Sequence, residues 1–154
     1  MKVYIMRHGE AELMVTTDAE RCLTEYGVRQ SFEQGKHLKA VASSIQKIIV
    51  SPYTRARQTF EQVNLACENQ LIKPEIWEEI IPYGNAKIVC DYLATLIEEG
   101  VESVLLVSHL PVVGSIVSEM CGRNSVSFQT STIAVLDWNG EKGEVVDSYH
   151  YGEE

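Results

Sequence analysis

Four side chains stand at the ends of short apolar runs. Arg7 and His8 follow Val3-Tyr4-Ile5-Met6, Arg55 comes soon after Lys47-Ile48-Ile49-Val50, and His109 comes just after Ser103-Val104-Leu105-Leu106-Val107. An imidazole can attack an electrophile or hold a proton, and a guanidinium offers oxyanions a rigid fork of donors. Brought together, two of each make a pocket for a phosphate-like dianion. One ring can act as nucleophile while the other side chains bind charge.

The elements that carry these residues decide whether they meet. Segments 3–6, 47–50 and 103–107 predict three buried strands. Segment 23–41 predicts a helix capped by Thr24, with Val28, Phe32, Leu38 and Val41 on one face and a Leu23–Val28 staple. A second helix is predicted over 54–67. A third, capped by Asn85, turns Ile88, Val89, Tyr92, Leu93, Leu96 and Ile97 inward. A fourth begins at Pro111 and ends at Gly122. Segments 131–138 and 144–151 flank the turn-rich Asn-Gly-Glu-Lys-Gly and read as a hairpin, and 75–84 reads as a short strand and a loop.

Apolar strands alternating with amphipathic helices predict an α/β fold. It is a three-layer α/β/α sandwich with a mostly parallel central sheet and an antiparallel edge. In such a sheet the carboxyl ends of neighbouring strands open into one crevice. If the three strands are neighbours, Arg7, His8, Arg55 and His109 converge there. Helix N-termini after Pro52 and His109 would add backbone donors.

The 154 residues are enough for one domain spanning 1–154. A net charge of -9 argues against nucleic-acid binding and makes a local cluster of cations more informative. No apolar run approaches membrane-spanning length, and no signal peptide is legible at the start. Cys22, Cys67, Cys90 and Cys121 form no CxxC pair and have no histidine at metal-finger spacing. They read as free thiols of a cytoplasmic protein. His8 and His109 lack a third ligand at helical or hairpin spacing, so a metal site is not expected. Arg57, His37 and His150 read as surface residues.

The blocks Arg7-His8-Gly9-Glu10, Ser51-Pro52-Tyr53-Thr54-Arg55-Ala56-Arg57-Gln58-Thr59 and Val107-Ser108-His109 resemble the histidine phosphatase superfamily, also called phosphoglycerate mutase-like. There RHG, SP-x-x-RA-x-QT and SH occur in this order. Residues 21–27 resemble its R-P-L-T-x-x-G segment, with Cys22 in place of proline, and 100–114 resemble the small phosphohistidine phosphatases of that superfamily. The resemblance implies that His8 attacks phosphorus and is transiently phosphorylated. It implies that Arg7, Arg55 and His109 bind the phosphoryl oxygens, with no cofactor. The position of the family's general acid falls on Glu79, with Glu78 beside it.

Only 49 residues separate Thr59 from His109, and the expected elements occupy them. No room remains for the helical lid of sugar-phosphate enzymes, so the site should be open enough for a side chain of another protein. Imidazole is a weak base, with a conjugate-acid pKa of about 6.5, and leaves with little help from an acid. The expected substrate is therefore phosphohistidine on a partner protein, and the resemblance implies that this partner is a phosphotransfer domain or a phosphotransferase-system carrier, with consequences for phosphorelay signalling. The alternatives are a small-molecule phosphomonoesterase of the same fold and a non-catalytic phosphoprotein binder. A bell-shaped rate profile is expected, with the acid limb from His8 and the alkaline limb from a charged His109.

Overall fold

A computed structural model describes residues 1–13 and 17–152. Among them, six strands form one sheet: β1 (Lys2–Arg7), β2 (Lys47–Val50), β3 (Glu75–Ile76), β4 (Ser103–Ser108), β5 (Ile133–Trp138) and β6 (Gly143–Tyr149). Their order is β3-β2-β4-β1-β5-β6. The first four in that order are parallel, while β5 and β6 run antiparallel as the hairpin at one edge. The helices are α1 (Glu25–Gly35), α2 (Thr54–Ala66), α3 (Ala86–Glu98) and α4 (Val112–Cys121).

The three chemistry-bearing strands are neighbours, and their ends are level. Met6 of β1 and Val50 of β2 both pair with Val107 of β4. The chain therefore leaves the sheet side by side at Arg7-His8, Ser51 and Ser108-His109. This shared exit sets up the candidate site.

Strand alternation divides the core into two layers. Val3, Ile5, Val104 and Leu106 face α3 and α4, where Leu93, Ile116 and Val117 cover them. Tyr4, Met6, Leu105 and Val107 face the other way, against Ala56, Phe60 and Val63 of α2 and Leu38. Strands buried on both faces must be apolar throughout, which explains their continuous runs. Each fully buried aliphatic side chain contributes about 1.5–3 kcal/mol. The expected three-layer sandwich is the one observed.

Helix α1 departs from its expected inner face. Thr24 caps it, accepting from the Gly27 amide at 2.9 Å. Its buried residues, however, are Gly27, Gln30, Ser31, Gln34 and Gly35, while Val28 is exposed and Phe32 half-buried. The helix ends at Gly35, and a short 3₁₀ turn carries Leu38 into the core. Its inner face must supply hydrogen bonds to loops beside the site, so polar and small residues replace apolar ones. In α3, Asn85 caps the Lys87 and Ile88 amides as expected, but Ile88 is exposed and Cys90 takes the inward position. Gly122 closes α4 in the left-handed conformation, at φ 86°.

Candidate active site

His8 follows β1 and is 7% exposed. Its Nδ1 lies 2.6 Å from the carbonyl oxygen of Gly9. A carbonyl only accepts, so Nδ1 carries the ring proton and Nε2 carries the lone pair. Nε2 in turn accepts from Nε of Arg55 at 3.2 Å. A nucleophilic nitrogen is thus held unprotonated with a cation beside it.

Arg55 sits in the first turn of α2. Its outer nitrogens hold the short 3₁₀ turn Asp18–Glu20, one donating to the Asp18 carbonyl at 2.6 Å and the other to Asp18 Oδ2 at 3.1 Å. Arg21 donates to Asp18 Oδ1 at 3.0 Å, so one carboxylate bridges two guanidiniums.

Arg7, the last residue of β1, donates from Nη1 to the Phe128 carbonyl at 3.0 Å. Its Nε is buried without a protein partner. His109 is 1% exposed, and its ring centroid lies 5.0 Å from that of His8. Its Nε2 is 2.7 Å from Ser51 Oγ. The Ser51 oxygen also accepts from the Tyr53 amide, and we assign its hydroxyl as the donor to that ring nitrogen. The His109 proton then sits on Nδ1, which is also buried without a partner. Two unpartnered N–H groups beside a cation are costly unless an acceptor takes them, at about 1–3 kcal/mol each. An oxyanion supplies such acceptors.

Burial dominates the protonation of both rings. It pushes the pKa of His8 down to about 3, and the charges of Arg55 and Arg7 push the same way against the bond to Gly9. His109 falls to about 2, from burial and then the proximity of His8 and Arg55. Both rings are neutral at pH 7. This differs from the expected charged His109, whose contribution in the free site is a neutral N–H donor. Among the described residues no three His, Cys, Asp or Glu side chains cluster as a metal site requires.

A family model described as the histidine phosphatase superfamily (branch 1) matches residues 3–85. The chain belongs to the histidine phosphatase superfamily. It is 54% identical to a phosphohistidine phosphatase SixA homolog of Haemophilus influenzae, covering 95% of this chain and 93% of that protein. It is 43% identical to the phosphohistidine phosphatase SixA of Escherichia coli, covering 91% and 88%. A solved structure of the protein histidine phosphatase SixA complexed with tungstate superposes with a TM-score of 0.89 at 39% identity, covering 96% of each chain.

The superfamily blocks contain more than the four residues first singled out. In the Gln-Thr that closes the middle block, Gln58 accepts from the Leu23 amide at 2.7 Å, tying the 21–24 segment to α2. Thr59 accepts from the Gly9 amide at 3.0 Å and donates to the Arg55 carbonyl at 2.7 Å. It therefore links the turn after His8 to the helix that carries Arg55. Gly9 itself is required by close approach: a Cβ there would lie 2.6 Å from the Gly27 carbonyl oxygen. Gln30 accepts from the Glu10 amide at 2.6 Å, and Gln34 donates to the Ser131 and Tyr149 carbonyls.

Arg7, His8, Arg55 and His109 therefore gather at the carboxyl ends of β1, β2 and β4. Glu79 is half-exposed on a 3₁₀ turn, and no side-chain hydrogen bond ties it to the four; Glu78 beside it is exposed. That turn is anchored near the site through Ser108, whose hydroxyl donates to the Ile80 carbonyl. Arg57 is exposed, as expected, and donates from Nε to the Pro52 carbonyl at the start of its own helix. His37 is exposed and stacks on Tyr149. His150 is not a free surface residue. It is half-buried and bonds Thr132 Oγ1, in the loop that supports Arg7. Asp18, Ser51 and the Phe128 carbonyl escaped the sequence reading.

Proposed function

We propose that this chain is a single-domain protein phosphohistidine phosphatase, working through a phosphorylated His8. The observation that carries the reading is the unprotonated Nε2 of His8, held by the Gly9 carbonyl on one side and met by Arg55 on the other. Nε2 attacks phosphorus as the bond to the partner's imidazole breaks, and the electron pair leaves with that ring, whose other nitrogen already carries a proton, so that neutral imidazole departs. Arg7, Arg55 and the Nδ1–H of His109 hold the phosphoryl oxygens and balance the charge spread over them. Water then attacks the phosphohistidine of the enzyme, releasing inorganic phosphate and restoring His8. The tungstate complex of the SixA neighbour supports this role, because tungstate is a tetrahedral oxyanion like phosphate.

Glu79 is assigned no proton transfer, since imidazole leaves without strong protonation. The proposed partners are phosphotransfer domains or phosphotransferase-system carriers, which supply phosphohistidine on an exposed helix or loop. The four free thiols suit the reducing cytoplasm where such proteins work. Among the described residues no helix is long and apolar enough to cross a membrane.

The test compares phosphate release from a phosphohistidine carrier with release from sugar phosphates. The carrier is expected to be preferred by orders of magnitude in kcat/KM. Preference for a sugar phosphate would favour a small-molecule phosphomonoesterase, and no release from either would leave a phosphoprotein binder.

A further inference from the structure

Asp18 grips Arg55, the side chain that meets Nε2 of His8. Its side chain is 40% exposed while that of Arg55, which it grips, is 4% exposed. The carboxylate therefore lies on the solvent side of the guanidinium, and Arg55 Nε lies on the His8 side. Phosphoryl transfer runs in line, so the departing atom sits on the face of phosphorus away from His8 Nε2.

We propose that the Asp18 carboxylate lies beside that departing group and makes the site selective for phosphoryl donors whose leaving group is cationic before the bond breaks. The inference rests on the phosphohistidine reading and extends it to the chemistry of the leaving group. A phosphohistidine ring protonated on its distal nitrogen is a cation. When the P–N bond breaks, its electron pair stays on the ring nitrogen, the distal proton remains, and neutral imidazole departs. A nearby carboxylate keeps that ring protonated until departure. The same carboxylate repels a phenolate or alkoxide as its negative charge develops.

Asp18 is suited to act as a fixed charge and not as an acid. Burial is the largest single effect and raises its pKa, but the hydrogen bonds and charges of Arg21 and Arg55 together outweigh it and hold the group below the usual carboxylate value. Each carboxylate oxygen accepts one guanidinium N–H and keeps a second lone pair for a substrate donor.

The test uses two small donors with opposite leaving groups. Phosphoramidate carries a protonated nitrogen and loses ammonia, while p-nitrophenyl phosphate loses an anionic phenolate. In Asp18→Asn, the kcat/KM ratio of phosphoramidate to p-nitrophenyl phosphate is expected to fall about tenfold, the effect of one charge removed a few ångströms away in a partly solvated site. Asp18→Ala is expected to shift the ratio in the same direction, and melting curves check that both variants fold. Parallel loss of both activities would reduce Asp18 to a clamp on Arg55 and overturn the proposal. An unchanged ratio, or a wild type inactive on phosphoramidate, would also overturn it. If the wild type ignores phosphohistidine proteins and the ratio still falls, the partner reading fails while the leaving-group selectivity stands.

Discussion

Arg55 donates from Nε to Nε2 of His8 across 3.2 Å, while its other two nitrogens grip Asp18. One planar fork thus meets the His8 lone pair and is itself oriented by a loop. Lysine keeps the charge but cannot make three bonds in those fixed directions. Arg55→Lys is expected to lower kcat/KM on a phosphohistidine carrier by about 10²–10³. Steady-state kinetics on the folded variant checks this, and a loss smaller than fivefold would mean that charge alone suffices.

Stability should fall on the acid side. The two buried rings have pKa values depressed to about 3 and about 2, against about 6.5 in the unfolded chain. A depressed value means that the unfolded state binds protons first. Their contribution is complete above pH 6.5 and is lost as pH falls toward the folded values. Below pH 6.5 each ring is expected to cost about 1.4 kcal/mol per pH unit. Denaturant unfolding at pH 7, 6 and 5 measures the slope, which His109→Ala should roughly halve. A flat profile over that range would contradict the burial of neutral rings.

The same pKa values move the acid limb of kcat/KM below pH 5, because that ratio reports the free enzyme. After correction for substrate titration, activity is expected to hold from pH 7 down to pH 5. An acid limb centred near 6.5 would show that His8 behaves as an exposed imidazole.

Thr59 joins the His8–Gly9 turn to α2 through one hydroxyl. Thr59→Val keeps the shape and leaves the buried Gly9 amide without an acceptor. A loss of about 1–3 kcal/mol in unfolding free energy is expected, with reduced kcat from a loosened nucleophile. Unfolding curves and turnover on one preparation test both effects, and an unchanged stability would remove Thr59 from the support of the site.

Strands β1, β2 and β4 were legible because burial on both faces demands unbroken apolar runs. Their parallel exit brings Arg7, His8, Arg55 and His109 together. Thr24, Asn85 and Gly122 marked helix ends through their capping chemistry. Val28 and Phe32 misled because α1 turns inward the side chains that bond loops, and Gln30 and Gln34 carry no apolar periodicity. Asp18 lies in a loop without a repeating pattern, and Phe128 contributes a backbone carbonyl, which leaves no mark on residue type. Local pattern reveals elements, whereas contacts between distant loops require the fold.

Chemical trapping of the intermediate tests the nucleophile most directly. The enzyme is mixed with a ³²P-labelled phosphohistidine carrier, quenched in base or in acid within milliseconds, and digested for mapping. Label is expected on Nε2 of His8, stable in base, lost in acid, and missing from His8→Ala along with turnover. Label on another residue, or full turnover by His8→Ala, would contradict nucleophilic attack by His8.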